Sequence, residues 1–178
     1  MAKRNNRQLV LKPQDLYVLL ALVARGEADF TYAGLASQTG LALSAVHGSL
    51  KRAESARLLI FAARQPKVLR PQLREFMLGG AKYVFPAVWG AMSRGVPTGY
   101  AAPPLNASIV PSSDPVPVWA SAAGSARGLS LAPLYPGVPE AALRDPRLYA
   151  LLALFDAVRS GMARERNIAA GLLSDALK

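Results

Sequence analysis

Leu11, Leu16, Leu19, Leu20 and Val23 recur at helical spacing along LKPQDLYVLLALVARG, which predicts a helix over residues 13 to 24. Pro13 suits its first turn and Gly26 its stop. Thr31 then stands as an N-cap for a short helix carrying Leu35 and Ala36, ended by Gly40. A third helix is expected over residues 42 to 56, where Leu43, Val46, Leu50 and Ala53 repeat at spacings of three and four and face inward. It runs into LLIF, which reads as a strand.

Beyond this point the periodicity breaks. Residues 60 to 70 hold Arg64, Lys67 and Arg70 around Pro66, which reads as a turn with barely room for a compact two-stranded hairpin. Pro71 opens an expected helix over 71 to 84 with Leu73, Phe76 and Met77 on its apolar side, weakened by Gly79 and Gly80. From Ser93 to Pro115 the chain defeats both helix and strand periods, and six prolines lie between Pro97 and Pro117. We expect a long loop that wraps the domain and packs Tyr100 and Ile109 onto it; Arg94, Thr98 and Tyr100 are the residues through which it would otherwise bind a ligand or a phosphate. Val116, Val118 and Trp119, a small-residue turn near Gly124, then Leu129 and Leu131 suggest a β-hairpin covering the core.

The C-terminal part returns to helical spacing. Pro139 opens one helix and Pro146 another, with Asp145 as N-cap, and Leu148, Leu151, Leu152, Phe155 and Val158 form one broad face. A last helix is expected from Met162 to Leu177. The expected fold is therefore mainly α with a small β-hairpin, in three stretches: an N-terminal helical region at 8–84, a Pro/Gly/Ser-rich loop and hairpin at 85–135, and a C-terminal helical pair at 136–178 that can bury a core or join two subunits.

Charge sharpens the picture. The net charge is +10, yet residues 1 to 82 carry 13 basic and 5 acidic side chains while residues 136 to 178 carry 6 and 5, so an anionic partner should meet the N-terminal half. The absence of cysteine excludes thiol catalysis, disulfides and thiolate metal sites. No paired carboxylates, GxGxxG or Walker pattern occurs, so neither an enzyme nor a cofactor or metal site is expected. MAKRNNRQLV lacks the apolar run of a signal peptide and no stretch is long enough to span a membrane, which points to a cytoplasmic, nucleoid-associated protein.

On the third helix Ser44, His47 and Lys51 fall opposite the Val46 and Leu50 stripe, where they can meet base edges or phosphates. Arg52 and Arg57 are candidates to hold the DNA backbone, joined by Arg64 and Lys67. His47 has no nucleophile or further ligand written near it, so the alternative to a groove contact is a solvated side chain. Gly48 in mid-helix costs about 1 kcal/mol relative to Ala, for which a close approach to DNA and a tight packing contact are equal explanations. Arg127, beside the later turn, is a DNA-contact candidate if that hairpin is a displaced wing, the alternative being a hairpin that covers the core through Trp119 and never meets DNA. Arg159 and the following RSGMARER corner read as structural ion pairing with Asp156, Glu165 or a partner chain.

LASQTGLALSAVHGSLKRAESARLL resembles the winged helix-turn-helix of bacterial transcriptional regulators, including the MarR-like class. Gly40, Leu41, Val46, Leu50, Lys51, Arg52, Leu58 and Leu59 fit that pattern, whereas Gly34 replaces a common acidic residue and Arg57 a usual glycine. The resemblance covers residues 12 to 62 and implies that 8–84 is a winged helix-turn-helix DNA-binding region of a sequence-specific double-stranded DNA-binding repressor, with autoregulation as one form of it. A homodimer through residues 146 to 177 is expected on separate grounds, because one small reading head recognises few base pairs and a second half-site adds register and affinity. A second reading is a protein-interaction module, an antitoxin or defence-system component that binds an effector enzyme.

Overall fold

The computed structural model describes residues 9–26, 28–109 and 114–178. Its fold is mainly helical with small β-sheets. Helix α1 (Pro13–Arg25) has Pro13 in its first turn and is buried continuously from Asp15 to Ala24. A helix apolar all round belongs inside a core rather than on its surface, and α1 accordingly packs against α2 (Tyr32–Thr39), α3 (Leu43–Ser55) and α7 (Pro146–Ser160).

Local signals set the next two helices. The Thr31 hydroxyl accepts a hydrogen bond from the Gly34 amide at 2.9 Å, and Gly40 ends α2 in the left-handed region at φ 70°. An L residue there would pay for its Cβ. Along α3, Val46, Leu50 and Ala53 are buried as expected, but Leu43 is 49% exposed. Leu43 is the first residue of α3, ahead of Ser49 and Arg52, whose side chains bond to α1.

The stretch after α3 overturns the expectation that it has barely room for a hairpin. Strands β1 (Leu59–Ala62) and β2 (Gln65–Val68) pair antiparallel across the two-residue turn Ala63–Arg64. Both turn residues have positive φ, 49° and 65°. That is the backbone of a type I′ turn, whose usual sequence marker is Asn-Gly, and Ala-Arg carries no such marker.

The helix expected over 71–84 is present but broken by geometry. It runs as α4 (Arg70–Glu75), a π-helical turn at Phe76–Gly80 and α5 (Ala81–Val84). The two glycines, Gly79 and Gly80, lie within that turn, and Met77 stays buried.

The later β-region corrects the hairpin expected at 116–131. β4 (Pro117–Ala120) and β5 (Ala126–Leu131) run parallel to each other, and each pairs antiparallel with β3 (Trp89–Pro97), closing a three-stranded barrel. Half of β3 comes from the stretch expected to be loop. Gly95 pairs with Ala120 on one side and Ala126 on the other, and residues 121–125 cross over it. A Cβ on Gly124 would fall on the Gly95 backbone, so the crossing needs glycine at that point.

The loop after β3 wraps the molecule, with Leu105 buried and Ile109 packed on the core. Thr98 is no ligand contact: its hydroxyl donates to Asp156 Oδ2 at 2.8 Å in the interior. The Trp119 indole donates to the same oxygen at 2.6 Å, and Arg159 holds Oδ1 at 2.8 Å while donating to the Ala132 carbonyl at 2.6 Å. Arg94 is likewise structural, donating to the Gly124 carbonyl at 2.8 Å. Burial pushes the Asp156 carboxyl above its ordinary range, opposed by Arg159, Thr98 and Trp119.

Asp145 caps α7 through the amides of Arg147 and Leu148, as its place before Pro146 predicted. Helices α6 (Val138–Arg144), α7 and α8 (Ala163–Ala176) follow the expected spacing. Leu148, Leu151, Leu152, Phe155 and Val158, expected to serve dimerisation, are buried within this chain together with Leu173 and Leu177. Buried residues from α1 through α8 form one cluster, so the three stretches share a core.

Candidate nucleic-acid interface

Helix α3 is held on α1 by a polar clamp. The Asp15 carboxylate is fully buried and caps the start of α1 by accepting from the Lys12 amide at 2.8 Å. Arg52 reaches it with two parallel hydrogen bonds, Nε to Oδ2 at 2.7 Å and Nη2 to Oδ1 at 2.6 Å. The hydrogen bonds to Asp15 raise the Arg52 guanidinium above its ordinary range. Gln14 and Arg52 both donate to the Ser49 hydroxyl, at 3.1 and 3.3 Å, so two turns of α3 are tied to the first turn of α1.

This gives Arg52 a bracing role where the sequence suggested a phosphate contact. Packing is one use of Gly48: a Cβ there would stand 3.1 Å from Arg52 Nη1, so the glycine leaves room for the guanidinium to lie back toward Asp15. At the far end of α2, Tyr17 donates to the Thr39 carbonyl at 2.9 Å, and burial pushes its phenol well above the ordinary range.

With its inner face clamped, α3 shows a defined outer face. Ser44, His47 and Lys51 are exposed at spacings of three and four, flanked by Leu43 at one end and Glu54 at the other. His47 is not free to swing. Its ring stacks on Tyr32 with centroids 3.8 Å apart and planes 14° from parallel, and Tyr32 in turn meets the edge of Phe30 at 4.9 Å. Tyr32, His47, Lys51 and Phe61 line a shallow depression of about 280 Å³ between α3 and the base of β1.

Arg57, Arg64 and Lys67 are exposed on the segment that follows. Arg57 occupies the left-handed position after α3 at φ 59°; its amide bonds to Glu54 and the Leu58 amide to Ala53, both at 3.0 Å. This is the Schellman closure, with Arg where glycine is usual. Arg64 stands at the tip of the β1–β2 turn, and Lys67 lies opposite Ile60 on β2. Arg127 is exposed on β5 opposite Arg94, within the three-stranded barrel rather than on the hairpin that follows α3.

The sequence reading thus named the outer residues of α3 and the cations of the hairpin, but missed Tyr32, Leu43 and the Asp15–Arg52 clamp. The one available signal for the clamp was Asp15 in the first turn of a helix otherwise apolar on every side. Among the described residues no group of three or more His, Asp or Glu side chains could hold a metal ion, and no helix is long and apolar enough to cross a membrane. Comparison of the chain with protein-family models, curated proteins and solved structures finds no match.

Proposed function

We propose that residues 12 to 68 form a winged helix-turn-helix unit that binds double-stranded DNA, with α3 entering the major groove and β1–β2 serving as the wing, and that the protein represses transcription. The observation that supports this most is the outer face of α3, bearing Ser44, His47 and Lys51 and followed directly by a hairpin whose tip and strand expose Arg64 and Lys67. A helix braced from behind by a second helix and flanked by a cationic hairpin suits groove insertion with backbone contacts alongside. On this reading Ser44 and His47 meet base edges, Lys51 meets a base or phosphate, and Arg57, Arg64 and Lys67 neutralise phosphates.

Selection of bound fragments from genomic DNA, followed by titration of the recovered duplex, tests the proposal. If four cations contact phosphate, log K should fall with log salt at a slope of about −3 to −4 for each chain. Lys51→Ala with Arg64→Ala should reduce that slope by about 2 and weaken binding to all sequences. Absence of duplex binding at low salt, or binding unchanged by the double substitution, rejects the assignment. A palindromic site would support the homodimer expected of such a repressor.

A second reading, a protein-interaction module such as an antitoxin, is favoured by one observation. Tyr83, Val84, Val88, Trp89 and Met92 are large apolar side chains exposed within one short stretch, Tyr83 at 75%. Surfaces of this kind mark contacts with other proteins. Mass measurement of the purified chain, alone and with Trp89→Asp, separates a second copy from a different protein: a dimer that the substitution dissociates assigns the patch to self-association.

A further inference from the structure

A pocket of about 310 Å³ opens where the end of α1, the start of α4, and helices α7 and α8 converge. Its walls include Val23, Leu151, Leu154 and Leu172, and Pro104 closes one side. Among the described residues, no aromatic, acidic or uncharged polar side chain lines it. Two arginines do: Arg70, the first residue after the hairpin and Leu69, and Arg147, in the first turn of α7. Arg70 makes only a long 3.4 Å hydrogen bond, to the Ala176 carbonyl, and Arg147 has no side-chain partner among the described residues.

An aliphatic cavity with two under-used guanidiniums and, among the described residues, no counter-charge defines its occupant. The walls favour a flexible saturated chain, since they offer no ring for stacking and no group to bond a polar body. The arginines favour a planar oxyanion, which their fork of N–H donors can bind in pairs. A volume at the small end of ligand pockets limits the chain to modest length. The chain's own residues 1–8, MAKRNNRQ, carry three cations and no acid, and so do not suit it.

We infer that this pocket binds a small aliphatic oxyanion, of which a medium-chain carboxylate is the simplest member. The carboxylate lies between Arg70 and Arg147, and the alkyl chain runs inward over Leu151 and Leu154. The site is distinct from the outer face of α3, and its detection requires no DNA.

Calorimetric titration of the full chain with sodium octanoate, kept below its micelle concentration, tests the inference. Saturable one-to-one binding is expected, with each methylene from hexanoate to octanoate tightening it by roughly fourfold. Octylammonium, with the same tail and opposite charge, should bind about tenfold or more weakly, and Arg147→Glu should weaken octanoate by a similar factor. Arg147 is exposed, so the melting curve of that variant should match the native one. Ala150→Trp, which fills the cavity from α7, should also abolish binding and serves as the second probe. Equal binding of octylammonium, or octanoate affinity unchanged in both variants, overturns the inference. So does octanoate affinity that falls as protein concentration rises, which would place a second copy of the chain in the pocket.

Discussion

Arg52 and Arg57 stand five positions apart and do opposite things for stability. Arg52 neutralises a carboxylate that is fully buried, so Arg52→Ala strands the Asp15 charge inside the protein. A loss of about 3 to 5 kcal/mol is expected from chemical denaturation, the range for breaking a buried pair from one side. Asp15→Asn with Arg52→Leu should recover most of it, because no lone charge then remains. Arg57, by contrast, holds a left-handed backbone that an L side chain adopts at a cost. Arg57→Gly should raise stability by about 1 kcal/mol; if Arg57 also contacts a phosphate, the same variant binds duplex more weakly, and the two measurements move in opposite directions. The Arg57 role was legible from its place where a glycine is usual; the Arg52 role was not. The basic pair Lys51–Arg52 looks like one surface feature in sequence, and only the rotation of α3 about its axis, fixed by Val46 and Leu50 going inward, sends one cation out and the other back.

Elements differ in how much of their structure is written locally. α2 is an extreme case: Thr31 caps it, Gly40 ends it, and both were readable because capping and left-handed termination act within a single turn. The β1–β2 hairpin is the reverse. Ala63 and Arg64 adopt a turn that favours Asn-Gly, so its existence rests on strand pairing and on Leu59 being buried beneath it. Replacing Ala63–Arg64 with Asn-Gly should therefore raise the unfolding free energy from chemical denaturation by about 1 kcal/mol. Loss of the Arg64 charge should simultaneously reduce the salt slope of duplex binding by about 1. A variant with unchanged stability would show that the turn carries no strain. β3 escaped notice for another reason. WGAMSRGVP has no alternation of apolar and polar positions: its first part pairs with β5 across a register shift between Trp89 and Met92, its last residues pair with β4, and only Gly95 and Val96 are buried.

For the whole molecule, Asp156 is the joint. It draws the 98 turn, β4 and the end of α7 together, and through Arg159 it reaches the carbonyls of Phe85 and Ala132. Asp156→Ala leaves the Trp119 indole and the Arg159 guanidinium without their acceptor, and a loss of about 3 kcal/mol or more is expected. Since buried residues from α1 to α8 form one cluster, fluorescence of Trp119 and helical circular dichroism should follow a single coincident transition on denaturation. Separate transitions would show that the stretches beyond residue 84 fold apart from the α1–α3 unit. Helix placement outside residues 71–84, the caps at Thr31, Gly40 and Asp145, the inward stripe of α3 apart from Leu43 and the basic bias of the N-terminal half were legible in the chain, since each depends on residues within a turn or two or on composition alone. Strand partners, the Asp15 clamp, the Asp156 joint and the burial of α7 in the chain's own core were decided by tertiary structure. Those features join residues tens of positions apart, and no local periodicity records which distant groups will share a hydrogen bond or a core.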